Sequence, residues 1–285
     1  LRFTKDKLRA DPGTGSTALS YQEWNIGIPP TRPDGVALIP QWLAKCRELY
    51  PRCKSYLDPS ADKLPLLPTR VVDVGNEEGT EQPVLFESKG YRSEYLTLSH
   101  CWGGSNILST TSNNIKSFKK CVPFANVCKT LQDAITVTRR LGFRYLWIDS
   151  LCIIQDSAED WHKESSRMAD IYFHCALALS GLDSPNRNSG LLYERRPLEE
   201  DFAKLNYYNE EGMLDGHVLV SRDHDSLYSL AKFSELSQSR HSLEQRGWTL
   251  QEQVLSSRSV LFGKDQLHWE CRVGNGMSVK VLLTS

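Results

Sequence analysis

What the sequence lacks narrows its reading first. No apolar run approaches the roughly 20 residues needed to cross a bilayer, which speaks against a membrane-spanning chain. No basic block stands out, and 34 Lys and Arg nearly balance 35 Asp and Glu to a formal charge of −1. The electrostatic footprint of a nucleic-acid binder is therefore missing. The first 30 residues show no basic segment followed by an apolar one, so no secretory signal is read there. Together these absences point to the cytoplasm, with the nucleus as the alternative, and to neither nucleic acid nor membrane as a partner.

Cysteine is present but unorganised. The eight cysteines, Cys46, Cys53, Cys101, Cys121, Cys128, Cys152, Cys175 and Cys271, are scattered along 285 residues rather than packed as a disulfide framework. Reduced thiols are expected. No CxxC or HxxxH completes a zinc set, and no metal is expected. A full GxGxxG is absent, which removes the dinucleotide fingerprint. Internal repeats and low-complexity tracts are absent too.

What is present is organised in two styles. Residues 1–35 alternate Gly, Pro and polar residues and read as an irregular arm. Ile39, Trp42, Leu43, Cys46 and Leu49 then recur at helical spacing, with Pro51 just beyond. The runs "TRVVDV" and "PVLFES" flank "GNEEGT" as a hairpin. From residue 94 strands alternate with helices. "YLTLSHCWG" is a strand, and Thr130–Leu141 a helix with Thr130 and Asp133 as a capping pair and Gly142 as its stop. "YLWIDSLCI" is a buried strand, and Ser157 to Tyr172 a helix capped by Ser157 and Asp160 that turns Trp161, Met168, Ile171 and Tyr172 inward. "CALALSG" is the third strand.

Residues 182–241 are polar and aperiodic apart from "HVLVSR", and read as an insertion with poor internal order. Helix resumes in "SLEQRGWTLQEQVLSS", with Ser242 and Gln245 in capping register and Leu243, Leu250 and Val254 along a stripe. "SVLF" and "LHWEC" form a closing hairpin with Leu267, Trp269 and Cys271 on one side. Strands separated by helices of this length imply parallel pairing through right-handed crossovers. Ligands gather at the carboxyl ends of such strands. Here those ends are Ser99 to Gly103 and Asp149 to Cys152.

Three blocks carry a resemblance. "LSHCWGG" from residue 98, "YLWIDSLCIIQDSAEDWHKESSRMADIY" from 145 and "RGWTLQEQVLSSRSVLF" from 246 with "HWEC" resemble, in order, the signature blocks of the fungal heterokaryon-incompatibility (HET) domain. "NNI", "TLQDAITVTRRLG" and "SGLL" between them fit as well, and the match spans about residues 94 to 272. "WLAKCRELYPRC" resembles the leader often found before this domain, with Tyr50 where that leader usually has His. The resemblance implies an α/β fold with a parallel sheet of TIR or flavodoxin type flanked by helices. An N-terminal helix and β-hairpin extension (1–93) would precede the HET domain (94–285), which ends in a C-terminal β-hairpin. It also implies a role in cell death after non-self recognition. Some TIR domains cleave NAD at the nicotinamide–ribose bond with a Glu four residues after a Trp, and Trp248 and Glu252 reproduce that spacing.

On that reading Glu252 is catalytic, while Trp102, Gly103, Asp149, Ser150, Arg246 and Trp248 bind the substrate. NAD would be a substrate rather than a cofactor, and a homo-oligomer is an expected form. Structural roles compete throughout. Glu252 fits an ion pair with Arg246, Arg258 or another cation, Asp149 fits a cap on the amides after its strand, and Trp102 with its glycines fits a tight turn. Trp161 with Glu164 is a rival Trp–Glu pair at a spacing of three. Two other functions stay open: a non-catalytic signalling module that self-assembles, and an enzyme acting on a fungal metabolite through His100, Cys101 or Cys152.

Overall fold

The computed structural model describes residues 9–10, 35–49, 64–102, 108–181, 188–192, 202–208, 214–221, 252, 254–263, 267–273, 279–280 and 283–284. In chain order its elements are β1 (Arg9–Ala10), α1 (Ile39–Leu49), β2 (Arg70–Asp73), β3 (Val84–Glu87), β4 (Leu96–Ser99), α2 (Ile115–Phe118), α3 (Lys129–Arg140), β5 (Tyr145–Trp147), α4 (Asp149–Cys152), α5 (Ala158–Ser165), α6 (Met168–His174) and β6 (Leu177–Ser180). Then come β7 (Phe202–Tyr208), β8 (Leu214–Ser221), β9 (Arg258–Phe262), β10 (Leu267–Val273), β11 (Val279–Lys280) and β12 (Leu283–Thr284).

YLW and LALS are almost wholly apolar and LTLS sets only the small hydroxyl residues Thr97 and Ser99 opposite its leucines, so these strands suit cover on both sides. Every residue of β4, β5, β6 and β9 is buried, as parallel strands between helical layers are. β5, β4, β6 and β9 lie side by side in that order and are all parallel. Numbered by chain position among themselves, they run 2-1-3-4, the doubly wound order of flavodoxin-type sheets. The 70–87 hairpin extends this core antiparallel beyond β5. On the other flank β10 pairs antiparallel with β9, and β11 and β12 pair with β10.

Several expectations hold for physical reasons visible locally. Ile39, Leu43 and Cys46 are buried on α1, and Trp42 packs tilted against Trp269 of β10 at 6.2 Å. Leu267, Trp269 and Cys271 all face the core. Gly142 stops α3 at φ 74°; its N–H reaches Arg139 O and the Phe143 N–H reaches Thr138 O, the paired bonds of a Schellman ending.

Others are corrected. Cys128, not Thr130, precedes α3, and no side chain caps that end. Thr130 and Asp133 serve a distant segment instead. Thr130 Oγ1 accepts from Gly190 N (3.3 Å), and Asp133 Oδ2 accepts from Leu191 N (2.8 Å) and Leu192 N (3.1 Å). Gly190 is required there: its φ is +78°, and a Cβ would stand 2.5 Å from Asp133 Oδ2.

The "YLWIDSLCI" strand stops at Trp147, and Asp149–Cys152 forms one helical turn. The expected helix from Ser157 to Tyr172 is two, α5 and α6, broken at Ser166–Arg167. Ser157 does cap it, accepting from Asp160 N at 3.3 Å, but Trp161 is an exposed residue rather than an inward one. Val254 is exposed as well. Within 182–241, β7 and β8 form an antiparallel ladder, and Arg9–Ala10 of the expected irregular arm adds a third strand to it. The first strand of the closing hairpin is also the fourth parallel strand of the core, a role that a hairpin pattern does not reveal. Ser242, Leu243, Gln245 and Leu250 lie outside the described residues.

Candidate functional site

A 2-1-3-4 order reverses direction between its first and third strands, and a crevice opens outside the carboxyl ends at that point. In this chain the reversal falls between β4 and β6. Ser99 and Ser180 end those strands in register, and Gly181 N donates to Ser99 O at 3.0 Å, holding the two ends together. The Ser99 hydroxyl donates to Glu252 Oε2. Glu252 arrives on the helical turn just before β9, where its own carbonyl accepts from Ser256 N (3.2 Å) and Ser256 Oγ (2.7 Å). The residue singled out by its spacing from Trp248 is thus at the switch point, and it is 5% exposed. Arg258, one suggested ion-pair partner, donates to Cys46 Sγ and to Ala176 O, both at 3.4 Å.

One strand over, the carboxyl end of β5 brings two more candidates together. Trp102 Nε1 donates to Asp149 Oδ2 at 2.8 Å, and Asp149 Oδ1 accepts from Ser150 N at 2.7 Å. Asp149 therefore orients the indole and starts α4 at once. Its main-chain oxygen takes Gln155 Nε2 at 3.1 Å. The Ser150 hydroxyl is fully buried and has no hydrogen-bond partner among the described residues. Gly103, Arg246 and Trp248 lie outside the described residues.

Behind α4 sits a buried charge cluster that sequence reasoning missed. Arg70 of β2 donates Nε to Cys152 O (2.7 Å) and Nη2 to Asp160 Oδ2 (2.5 Å), with Glu164 Oε1 at 4.0 Å. Asp160 Oδ2 also accepts from Ile154 N at 2.8 Å. Asp160 and Glu164 are i and i+4 on one helix face, a signal the sequence does contain. The rival Trp161–Glu164 pair separates: Glu164 goes inward to Arg70 and Trp161 goes out.

The thiols are poor nucleophiles. Burial pushes Cys152 up to about 12 and Cys175 up to about 11, so neither supplies thiolate at neutral pH. His100 and Cys101 are buried beside Ser99. Among the described residues no group of three or more His, Cys, Asp and Glu is placed to hold a metal.

A cleft of about 500 Å³ lies elsewhere, at the amino edge of the sheet, between α1 and the turn 141–144. Its floor is apolar (Ile39, Leu43, Phe143), and its rim charges are engaged: Arg47 with Glu94, and Arg144 with Asp73 at 3.0 Å. The cleft and the Ser99–Glu252 pair therefore sit at opposite ends of the strands.

An α/β protein with a flavodoxin-type strand order and a polar carboxyl edge is the class that fold and site define. The family model described as "Heterokaryon incompatibility protein (HET)" matches residues 95–252, more than half of the chain. The chain belongs to that family, which is related to heterokaryon incompatibility and cell death. No curated protein and no solved structure matches the chain. No helix among the described residues is long and apolar enough to cross a membrane.

Proposed function

We propose that this chain is a cell-death effector of incompatibility that cleaves NAD at the nicotinamide–ribose bond, with Glu252 as the reacting carboxylate. The observation that carries the reading is the seat of Glu252 at the strand-order reversal, held by the neutral hydroxyl of Ser99. The bond from ribose C1′ to the pyridinium nitrogen breaks with both electrons going to nicotinamide, so no proton need be delivered to the leaving group. Positive charge develops on the ribose, and a carboxylate facing it stabilises that charge. Water then adds at C1′ and loses its proton, giving ADP-ribose and nicotinamide. In this reading Trp102 and Trp248 supply aromatic surface, and Gly103, Asp149, Ser150 and Arg246 shape the pocket for the ribose and phosphates. NAD is substrate, no resident cofactor or metal is invoked, the place of action is the cytoplasm, and activity follows self-association.

The test is release of nicotinamide from NAD by the purified chain. Glu252→Gln, nearly the same size, should lower the rate by on the order of 100-fold or more while the fold is retained. A second reading has its own observation. With 5% exposure, Glu252 suits a structural acid under a non-catalytic, self-assembling module. Normal folding and association without any nicotinamide release at high protein concentration would select that reading. An enzyme acting on a fungal metabolite through its thiols is disfavoured by the burial of Cys101 and Cys152.

A further inference from the structure

We infer that Ser99 is a positioning residue: its hydroxyl fixes the Glu252 carboxylate at the crevice between β4 and β6. The inference rests on the reading of Glu252 as the reacting group.

Ser99 is well built for holding something still. It ends a strand paired on both sides, parallel to β5 and to β6, and its carbonyl is occupied by the Gly181 N–H. Its side chain is buried, so water does not compete for the hydroxyl. A serine hydroxyl has one proton, and here it goes to Glu252 Oε2. The other end of Glu252 is held independently, because Ser256 gives both its N–H and its hydroxyl to the Glu252 carbonyl. The residue is thus pinned at its main chain by one serine and at its tip by another, 153 positions away in sequence.

The chemical nature of the donor matters more than the bond itself. A carboxylate that stabilises a developing cation must be oriented without having its charge cancelled. A lysine or arginine would orient it and quench it, as Arg70 does for Asp160. A serine hydroxyl is uncharged, so this bond orients the acid without itself cancelling the acid's charge. Asp149 follows the same pattern, with an indole and a backbone amide as donors.

The experiment compares the full chain with Ser99→Ala, Ser99→Thr and Glu252→Gln. With NAD as substrate, Ser99→Ala should lower kcat about 10- to 100-fold, the range for one hydrogen bond to a charged group. KM should stay within about threefold, because orientation of the reacting acid is lost rather than binding. Ser99→Thr, which keeps a hydroxyl on a β-branched side chain suited to a strand, should recover most of the loss. Unchanged kcat in Ser99→Ala, a loss confined to KM, or a threonine variant no better than alanine would overturn the inference.

If the wild-type chain releases no nicotinamide, the NAD reading fails but the positioning of Glu252 is still decided. In protein labelled with ¹³C at glutamate carboxyls, the resonance missing from Glu252→Gln identifies Glu252. Ser99→Ala should displace that resonance and Ser99→Thr should return it; a resonance indifferent to Ser99 overturns the inference. Ser99→Cys, with similar size and a weaker donor, replaces the alanine variant should that one fail to fold, and it should give an intermediate displacement.

Discussion

Arg70 opens β2 at the carboxyl edge of the sheet and Asp73 closes it at the amino edge, yet the two charges live in different worlds. Arg70 is 6% exposed and touches Cys152 O and Glu164, both buried, and the part-buried Asp160. Asp73 is nearly as buried, at 8%, but its partner Arg144 has a side chain 62% exposed. The contrast runs along the whole sheet. At the carboxyl edge acids sit against fixed partners: Glu252, buried, on Ser99, and Asp149 and Asp160, part-buried, on Trp102 and Arg70. At the amino edge Arg47 with Glu94 and Arg144 with Asp73 rim an open cleft. Burying charge is costly unless it is paired. At the carboxyl edge both Arg70 and Glu252 are out of water with their partners, whereas at the amino edge each pair has at least one member that solvent supports.

The comparison breaks most readily at Arg70. Replacing it with Met keeps the apolar stem and removes the cation, leaving the buried Glu164 and the part-buried Asp160 without it. A loss of about 3–5 kcal/mol in urea unfolding is expected, because the penalty is that of stranded buried acids. A loss below about 1 kcal/mol would put this cluster in the class of surface pairs and erase the distinction between the edges.

Thiols sharpen the comparison because they sit at both edges, Cys152 in α4 and Cys175 just before β6, and both are fully buried. Unfolded thiols start to ionise near pH 9, whereas Cys152 keeps its proton to about 12 and Cys175 to about 11. Above pH 9 the unfolded state therefore binds fewer protons than the native one, and stability falls as pH rises toward those values. Once the unfolded thiol is mostly ionised, each contributes a slope of about 1.4 kcal/mol per pH unit. Unfolding midpoints at pH 8 and pH 10.5 should show the drop, and Cys152→Ala should remove about half of the thiol part. Equal pH dependence in that variant would mean that Cys152 is not kept protonated by burial.

Which of these features could be read beforehand follows from the range over which each is encoded. Strands that are mostly apolar, the stripe of α3 and the Gly142 stop depend on neighbours within a few positions, and they are legible. The hairpin at 70–87 and the seating of Trp269 are local in the same sense. Thr130 and Asp133 are the instructive miss. Their i, i+3 spacing suits a capping box, but the amides they serve are those of Gly190, Leu191 and Leu192, which only the tertiary fold delivers. The break at Ser166–Arg167 has neither Gly nor Pro to announce it. Around the switch point, spacing to Trp248 singled out Glu252 and the place after a strand singled out Asp149. Ser99 was not singled out, since nothing near it in sequence shows that its hydroxyl meets an acid on the last crossover.

The smallest effect tests the other side of the contrast. Arg144 donates Nε to both oxygens of Asp73 at 3.0 Å, and Asp73 in turn raises the Arg144 guanidinium above its ordinary value, chiefly through that hydrogen bond. The geometry is good, but the arginine is mostly in water, where screening and side-chain entropy consume the Coulomb gain. Asp73 also keeps a second task, accepting from Gly75 N at 3.0 Å to close the turn after β2, so it is not stranded when Arg144 is lost. Arg144→Ala should cost about 0–1 kcal/mol, and a double-mutant cycle with Asp73→Ala should give a coupling in the same range that shrinks in high salt. A coupling above about 2 kcal/mol, insensitive to salt, would show that the amino edge stores its charges as the carboxyl edge does; polarity at the switch point would then be a general property of this sheet rather than a mark of its site.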